Sequence, residues 1–188
     1  DLCVASRCGA SLKTEPKYVT IHPSAGCADL CRNNSRKPLE LKSLTAMKTR
    51  PLTRAERNHN PGNIRRCGVR YRGERRPSCD PAFKEFEGDE WGYRAMFVLL
   101  ESYRRRYSID TLRGIVTRWA PPLENDTDAY IRFVAERAEV DPDATLLPRD
   151  VRLRAIAEAM SRFERGHEPS PEQLDALDRG WQLFLRDY

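Results

Sequence analysis

Two glutamates beside polar turns are the residues of this chain with the clearest potential for chemistry. Glu56 shortly precedes an Asn-Pro-Gly-Asn turn at 60–63, and Glu124 follows the paired prolines at 121–122. Cleavage of a glycosidic bond needs a carboxylic acid to protonate the leaving oxygen, usually with a second carboxylate across that bond. Glu56 and Glu124 are therefore the candidate catalytic residues, and an ordinary surface position is the alternative for each.

Polar side chains around the same two turns are candidates for lining a saccharide groove. They are Asn60, Asn63, Asn125, Thr127 and Tyr130. Structural roles explain several of them as well, because Asn tolerates left-handed turn geometry and short polar side chains cap helix starts. Trp119 ends an apolar stripe beside the prolines, so we expect it in the core rather than stacked on a sugar.

The charge of the chain is unevenly distributed. Residues 48–76 contain ten basic and two acidic residues, whereas residues 77–188 contain sixteen basic and twenty-two acidic ones. The candidate anion-binding residues are Arg65, Arg66, Arg70 and Arg72. Such a cluster suits the phosphates of a nucleic acid or another anionic polymer, without a motif for sequence-specific recognition. The alternative is a basic arm that packs on the acidic part of the same domain.

Other kinds of site are not indicated by the sequence. His59 has no second histidine or cysteine at ligand spacing, there is no Gly-rich phosphate loop, and we expect no cofactor and no metal. Six cysteines lack the two tight pairs of a zinc ribbon, and free thiols in a reducing compartment are the expected state. No apolar run is long enough to cross a bilayer.

The composition changes near Met47. Residues 1–46 contain four Lys and three Arg, whereas residues 47–188 contain two Lys and twenty-four Arg. The first part also has a single aromatic residue, Tyr18, and too few large apolar groups to offset the entropy of ordering. We expect residues 1–46 to be disordered or a non-native upstream segment, Met47 to be the natural start, and residues 47–188 to form one helical domain.

Apolar periodicity predicts five amphipathic helices in the second part of the chain. The expected helices begin at caps near Asp89, Asp110, Asp126, Asp150 and Ser170. The stretches 64–71 and 82–86 predict short strands, so a small β element is expected near residues 64–86. The predicted fold class is all-α or α-dominated.

Two motifs carry a resemblance to a known family. They are Arg-Asn-His-Asn-Pro-Gly-Asn-Ile-Arg-Arg at 57–66 and Arg-Trp-Ala-Pro-Pro-Leu-Glu-Asn-Asp-Thr at 118–127, with Tyr130 shortly after. In this order they resemble a family of small bacteriophage and prophage proteins described as virion or structural proteins, over about Arg54 to Asp143. The arrangement also resembles lysozyme-like muramidases and glucosaminidases, which implies a lysozyme-like helical domain. In those enzymes the catalytic Glu lies well upstream of the comparable turn, a pattern from which Glu56 departs.

The resemblance implies a phage-type, virion-associated protein that is made in the bacterial cytoplasm and binds or cleaves peptidoglycan. Whether it is an enzyme, as a glycosidase or a lytic transglycosylase, stays open. The alternatives are a non-catalytic structural or interaction protein that holds another virion protein, and a non-specific nucleic-acid binder that uses the arginine cluster.

Overall fold

Helix-stop signals and helix caps divide the described part of the chain into six helices. The computed structural model describes residues 50–123 and 125–188, so the predicted boundary at Met47, the upstream segment and Glu124 lie outside the described residues. The helices are α1 (Arg54–Arg57), α2 (Asp89–Tyr107), α3 (Leu112–Trp119), α4 (Thr127–Ala138), α5 (Arg152–Arg165) and α6 (Pro171–Asp187). The predicted helix-dominated fold is confirmed.

The predicted helix starts are correct to within a few residues, but the cap is not always the expected residue. Asp126 caps α4 by accepting from the Ala129 N–H, and Ser170 forms a capping box with Gln173 at the start of α6. For α3 the cap is Thr111 rather than Asp110. The α2 start was predicted from Asp89, yet the cap position is Gly88, which has no side chain to offer.

The predicted strands do not form. In the described part of the chain, residues 64–86 contain two isolated antiparallel bridges, Arg65 with Phe83 and Glu74 with Phe86. Backbone hydrogen bonds also link the two stretches, from the Arg66 N–H to the Ala82 carbonyl and from the Lys84 N–H to the Ile64 carbonyl, each at 2.9 Å. The Asp80 carboxylate accepts from the N–H groups of Ala82 and Phe83 in the turn between them. The two stretches therefore run beside each other without a continuous ladder.

The core is built by pairs of helices that share apolar faces. α2 packs along α6, α4 packs on α5 and α3, and α5 also touches α1, α2 and α6. Phe97 on α2 meets the rings of Trp181 and Phe184 at centroid distances of 4.9 and 5.7 Å. Aromatic pairs at such distances add about 0.5–1.5 kcal/mol beyond the area they bury, so this contact fixes α6 against α2.

Candidate functional site

The Asn-Pro-Gly-Asn turn is held in place by Asn60, which is completely buried. Its Nδ2 donates to the carbonyls of Ile64 and Lys84 at 3.0 and 2.9 Å, and its Oδ1 accepts from the Ile64 N–H at 2.9 Å. One amide side chain thus satisfies three backbone groups from two separate chain segments. Asn60 therefore sets the shape of the turn from inside and does not face solvent.

The two sequence motifs meet in the core. A Cβ added to Gly62 would lie 2.7 Å from Cζ2 of Trp119 and 2.9 Å from Cγ of Met96. Only glycine lets the turn approach the indole this closely. Trp119 is fully buried, which confirms its predicted place in the core. Its packing fixes the turn of the first motif against the end of α3, where the second motif begins.

A third element, α5, joins the polar groups of both motifs through Glu164. The Glu164 carboxylate accepts from Nδ2 of Asn63 at 2.9 Å, and the hydroxyl of Tyr130 lies 3.1 Å from its other oxygen. Asn63 belongs to the turn and has a left-handed backbone with φ 46°, which aims its side chain at α5. Tyr130 is buried on α4 and stacks on Phe163 at 3.9 Å between ring centroids.

Both partners of Glu164 can serve either protonation state of its carboxyl group. A tyrosine hydroxyl can donate to a carboxylate or accept from a carboxylic acid. Oδ1 of Asn63 is buried and has no hydrogen-bond partner within the described residues, so a rotated amide could present it to a protonated Glu164. Glu164 is only partly buried. These properties suit an acid–base residue.

Glu56 occupies a second polar cluster, at the start of α1. One of its oxygens accepts from the backbone N–H and the hydroxyl of Thr53 at 2.8 and 2.9 Å, which completes a capping box. The other oxygen lies 3.3 Å from Nε2 of Gln173 and 3.2 Å from Nε2 of His167. The side chain is 8% exposed. Glu56 therefore suits a fixed negative charge better than a mobile proton donor.

Glu56 and Glu164 lie on two helices that touch each other, α1 and α5. Each glutamate contacts a residue that is close in sequence to the other one. Glu56 contacts His167, three residues after Glu164, and Glu164 contacts Asn63, seven residues after Glu56. Glycoside cleavage generally uses a pair of carboxylates that flank the scissile bond. We call Asn63, Tyr130 and Glu164, with Glu56 beside them, the α1–α5 site.

A partly buried ionic chain starts in the turn at His59. Nδ1 of His59 is 2.8 Å from Oδ1 of Asp89, and the other oxygen of Asp89 lies 3.6 Å from Arg165. Arg165 in turn donates to the hydroxyl of Tyr93 at 3.1 Å. The hydrogen bond with Asp89 raises the pKa of His59, and burial opposes part of this shift. This chain connects the turn to the start of α2 and to the end of α5.

The second motif forms a tight turn that also borders a surface groove. The hydroxyl of Thr127 donates to the Ala120 carbonyl at 2.6 Å, and Nδ2 of Asn125 donates to the Pro121 carbonyl at 3.2 Å. Asn125 and Thr127 also line a pocket of about 230 Å³. It shares Arg113, Asp128 and Ile131 with a neighbouring pocket of about 380 Å³. The groove thus runs along α3 and α4, whereas Tyr130 faces α5.

The arginines of the predicted anion-binding cluster differ in their surroundings. Arg72 pairs with Asp187 at 2.6 Å, so one member packs on the acidic part of the domain as the alternative interpretation expected. Arg66 and Arg70 are exposed and have no carboxylate partner among the residues that the structure describes. Arg65 is partly buried and takes part in the bridge with Phe83.

The structure corrects the prediction of free thiols for two of the six cysteines. Cys67 and Cys79 are disulfide-bonded. Spacing alone could not reveal this, because pairing depends on which chain segments meet in the fold. Within residues 50–123 and 125–188, no group of acidic, histidine and cysteine side chains could hold a metal ion. No helix in that part of the chain is both long and apolar enough to span a membrane.

One known protein shows what this chain is similar to. Over 132 aligned residues the chain is 35% identical to protein P5 of Pseudoalteromonas phage PM2, and the alignment covers 69% of this chain and 80% of that protein. The chain belongs to the family of phage PM2 protein P5. No family model matches it. The phage origin predicted from the two motifs is therefore confirmed.

For this member of the P5 family, sequence reasoning missed Glu164, His167 and Gln173. All three follow the region that the two motifs cover, and local pattern places Glu164 only at the end of an amphipathic helix. Glu164 is 101 residues from its partner Asn63, and Gln173 is 117 residues from Glu56. The available signal was that Glu164 lies next to three further polar or small residues, Arg-Gly-His at 165–167. This local pattern does not indicate a contact with the turn at 60–63.

Proposed function

We propose that this member of the P5 family is a virion-associated protein that binds the glycan strands of peptidoglycan at the α1–α5 site and cleaves them with Glu164 as the acid–base residue. The observation that carries the proposal is the position of the Glu164 carboxylate between Asn63 and Tyr130. It brings one polar group from each sequence motif to a single acid.

The chemistry divides between the two carboxylates. Glu164 gives its proton to the glycosidic oxygen as the bond from that oxygen to C1 breaks, and its carboxylate then takes a proton from the water that attacks C1. Its partners Asn63 and Tyr130 can accommodate both of its protonation states. Glu56 receives donors on both oxygens and supplies a fixed negative charge for the oxocarbenium-like transition state. The proposal includes the lysozyme-like relation between a helical lobe and a polar turn. Glu124, Asn125 and Thr127 remain predicted site residues, at a separate groove along α3 and α4.

Virion association has support from the family and from the cysteines. Protein P5 is a phage protein, and the two disulfide-bonded cysteines, Cys67 and Cys79, are in a state that persists outside the reducing cytoplasm. A virion that has left its host meets such conditions. Mass spectrometry of purified particles from a producing strain tests this part, and absence of the chain from the particles contradicts it.

The second candidate is a non-catalytic structural component of the virion, and the hydrogen bonds of the motif residues favour it. All three side-chain hydrogen bonds of Asn60 go to backbone groups. Glu56 caps α1 and also contacts Gln173 on α6. In this interpretation Glu164 fastens α5 to both motifs and does no chemistry. The partner is then another virion protein.

Release of soluble muropeptides from purified peptidoglycan separates the two candidates. We expect the full chain to sediment with peptidoglycan and to release muropeptides, and Glu164→Gln to keep the fold and the binding but lose the release. Glu87→Gln is the matched control, because Glu87 is exposed and its backbone N–H donates to Gly73, which is not part of the α1–α5 site. Glu124→Gln tests the predicted second acid.

Two results would decide against the proposal. Release that survives in Glu164→Gln moves the acid elsewhere, to Glu124 if that variant is the inactive one. A folded protein that neither sediments with peptidoglycan nor releases muropeptides, at acidic and at neutral pH, favours the structural component.

A further inference from the structure

Exposed arginines lie in three distant parts of the chain that contact one another. They are Arg66, Arg70, Arg72 and Arg76 from the bridged segment, Arg105 and Arg106 from the last turn of α2, and Arg186 from the end of α6, and together we call them the arginine surface. The chain order separates these groups by tens of residues, so the sequence shows only the first of them as a cluster.

Contacts around Asp187 and Tyr188 bring the three segments together. The Asp187 carboxylate lies 2.6 Å from Arg72 and 3.0 Å from Arg186. The guanidinium of Arg105 lies 5.8 Å from the ring centroid of Tyr188. The bridged segment and both helix ends therefore meet at Asp187 and Tyr188, and Arg70 follows Val69, whose carbonyl accepts from Arg76 at 3.5 Å.

Tyr71 marks the contact between the bridged segment and the end of α2. It is buried, and burial raises its pKa, while the positive charge of Arg106 opposes part of that shift. Arg106 is thus close enough to act on a side chain in the bridged segment. Next to Tyr71, the Glu74 carboxylate accepts from Arg76 and from Lys84, each at 3.0 Å.

The carboxylates of this region lie beneath the arginines. The side chains of Glu74 and Asp187 are 6% and 11% exposed, whereas those of Arg72, Arg76 and Arg186 are 60%, 44% and 64% exposed. The acids therefore orient the guanidinium groups from below. A polymer that approaches from solvent meets the cations first, and the exposed acid Glu87, whose N–H donates to Gly73, lies at the border.

We propose that the arginine surface binds the phosphate backbone of double-stranded DNA without regard to sequence. Exposed guanidinium groups suit phosphates, because each planar fork can donate two hydrogen bonds to one phosphate. Tyr107, beside Arg106, is stacked under Arg118 at 3.9 Å and so is not free to insert into a lipid layer. This role is independent of the α1–α5 site.

Binding of the full chain to a short DNA duplex, measured by fluorescence anisotropy over a salt series, tests the proposal. We expect the affinity to fall steeply with salt, by a factor of roughly 10³ or more between about 50 and 200 mM, if six or more phosphates are contacted. Arg66→Gln/Arg70→Gln and Arg105→Gln/Arg106→Gln should each reduce the slope of log affinity against log salt by about two. Both doublets are exposed, so the variants should keep the circular dichroism spectrum and melting temperature of the parent.

The matched control is Arg132→Gln/Arg149→Gln, which removes the same charge from two exposed arginines outside the arginine surface. It should leave the slope unchanged. An equal loss of affinity in this control, or no loss in either surface variant, overturns the proposal, since net charge alone or another face then governs binding. Absence of binding at about 50 mM salt also overturns it, as does tighter binding to vesicles of anionic phospholipid than to the duplex. None of these outcomes alters the muropeptide assay.

Discussion

Replacing Asn60 by alanine is the sharpest test of how the first motif is built. Asn60 is fully buried and makes three side-chain hydrogen bonds, two to the Ile64 backbone and one to the Lys84 carbonyl. Alanine removes the partner of all three backbone groups. A buried backbone group left without a partner costs about 1–3 kcal/mol.

The expected loss follows from these groups. The Ile64 N–H becomes unpaired, and the two carbonyls each lose a donor, although a carbonyl tolerates such a loss better because it can accept a second bond. We therefore expect Asn60→Ala to lower the free energy of unfolding by about 3–5 kcal/mol, against a total of about 5–15 kcal/mol for a domain. At roughly 3 °C per kcal/mol the melting temperature falls by about 10–15 °C.

Urea titration followed by circular dichroism measures the change, with Asn58→Ala as the matched control. Asn58 is buried like Asn60 but makes one side-chain hydrogen bond, from Nδ2 to Asp80 at 2.9 Å. Its loss should cost about 1.5–2 kcal/mol, at the low end for a bond to a carboxylate, because Asp80 keeps its bonds from the Ala82 and Phe83 N–H groups. Equal stability of Asn60→Ala and the parent, or an equal loss in both variants, would refute the assignment of Asn60 as the internal support of the turn.

Three further predictions concern the surroundings of that turn. The hydrogen bond with Asp89 raises the pKa of His59, so the stabilising effect of this bond is complete below about pH 6.5 and is lost as pH rises through the raised pKa. His59→Asn, which suits the left-handed backbone, should therefore lower the free energy of unfolding more at about pH 5.5 than at about pH 9 in urea titrations. A pH-independent difference would contradict this. Gly92→Ala places a Cβ against the His59 carbonyl oxygen and should cost about 2 kcal/mol or more, whereas Gly68→Ala, with open space around it, should be close to neutral in thermal melts. Tyr130→Phe removes the hydroxyl that contacts the carboxylate on α5 and should cost about 1–2 kcal/mol, and an unchanged urea midpoint would show that this contact does not stabilise the fold.

The sequence alone determined the five longer helices, though not the four-residue α1, because the signals for a helix lie within a few residues of one another. The apolar spacing around Leu177, Trp181 and Phe184 placed one face of α6 in the core, and Ser170 before Pro171 marked its start. The prolines at 121–122 likewise marked the end of α3. The motif resemblance also gave the phage origin, which the identity with protein P5 confirms.

Only the tertiary structure decided which polar groups meet. Asn60 reads as a turn residue in the sequence, yet its partner at Lys84 is 24 residues away and turns it into an internal support. The sequence places Glu164 at a helix end, whereas the fold brings its carboxylate to Asn63 and Tyr130. Arg72 and Arg186, far apart in the sequence, both contact the Asp187 carboxylate. Helix formation depends on local hydrogen bonds and spacing, whereas these contacts depend on how helices pack, and packing is a property of the whole core.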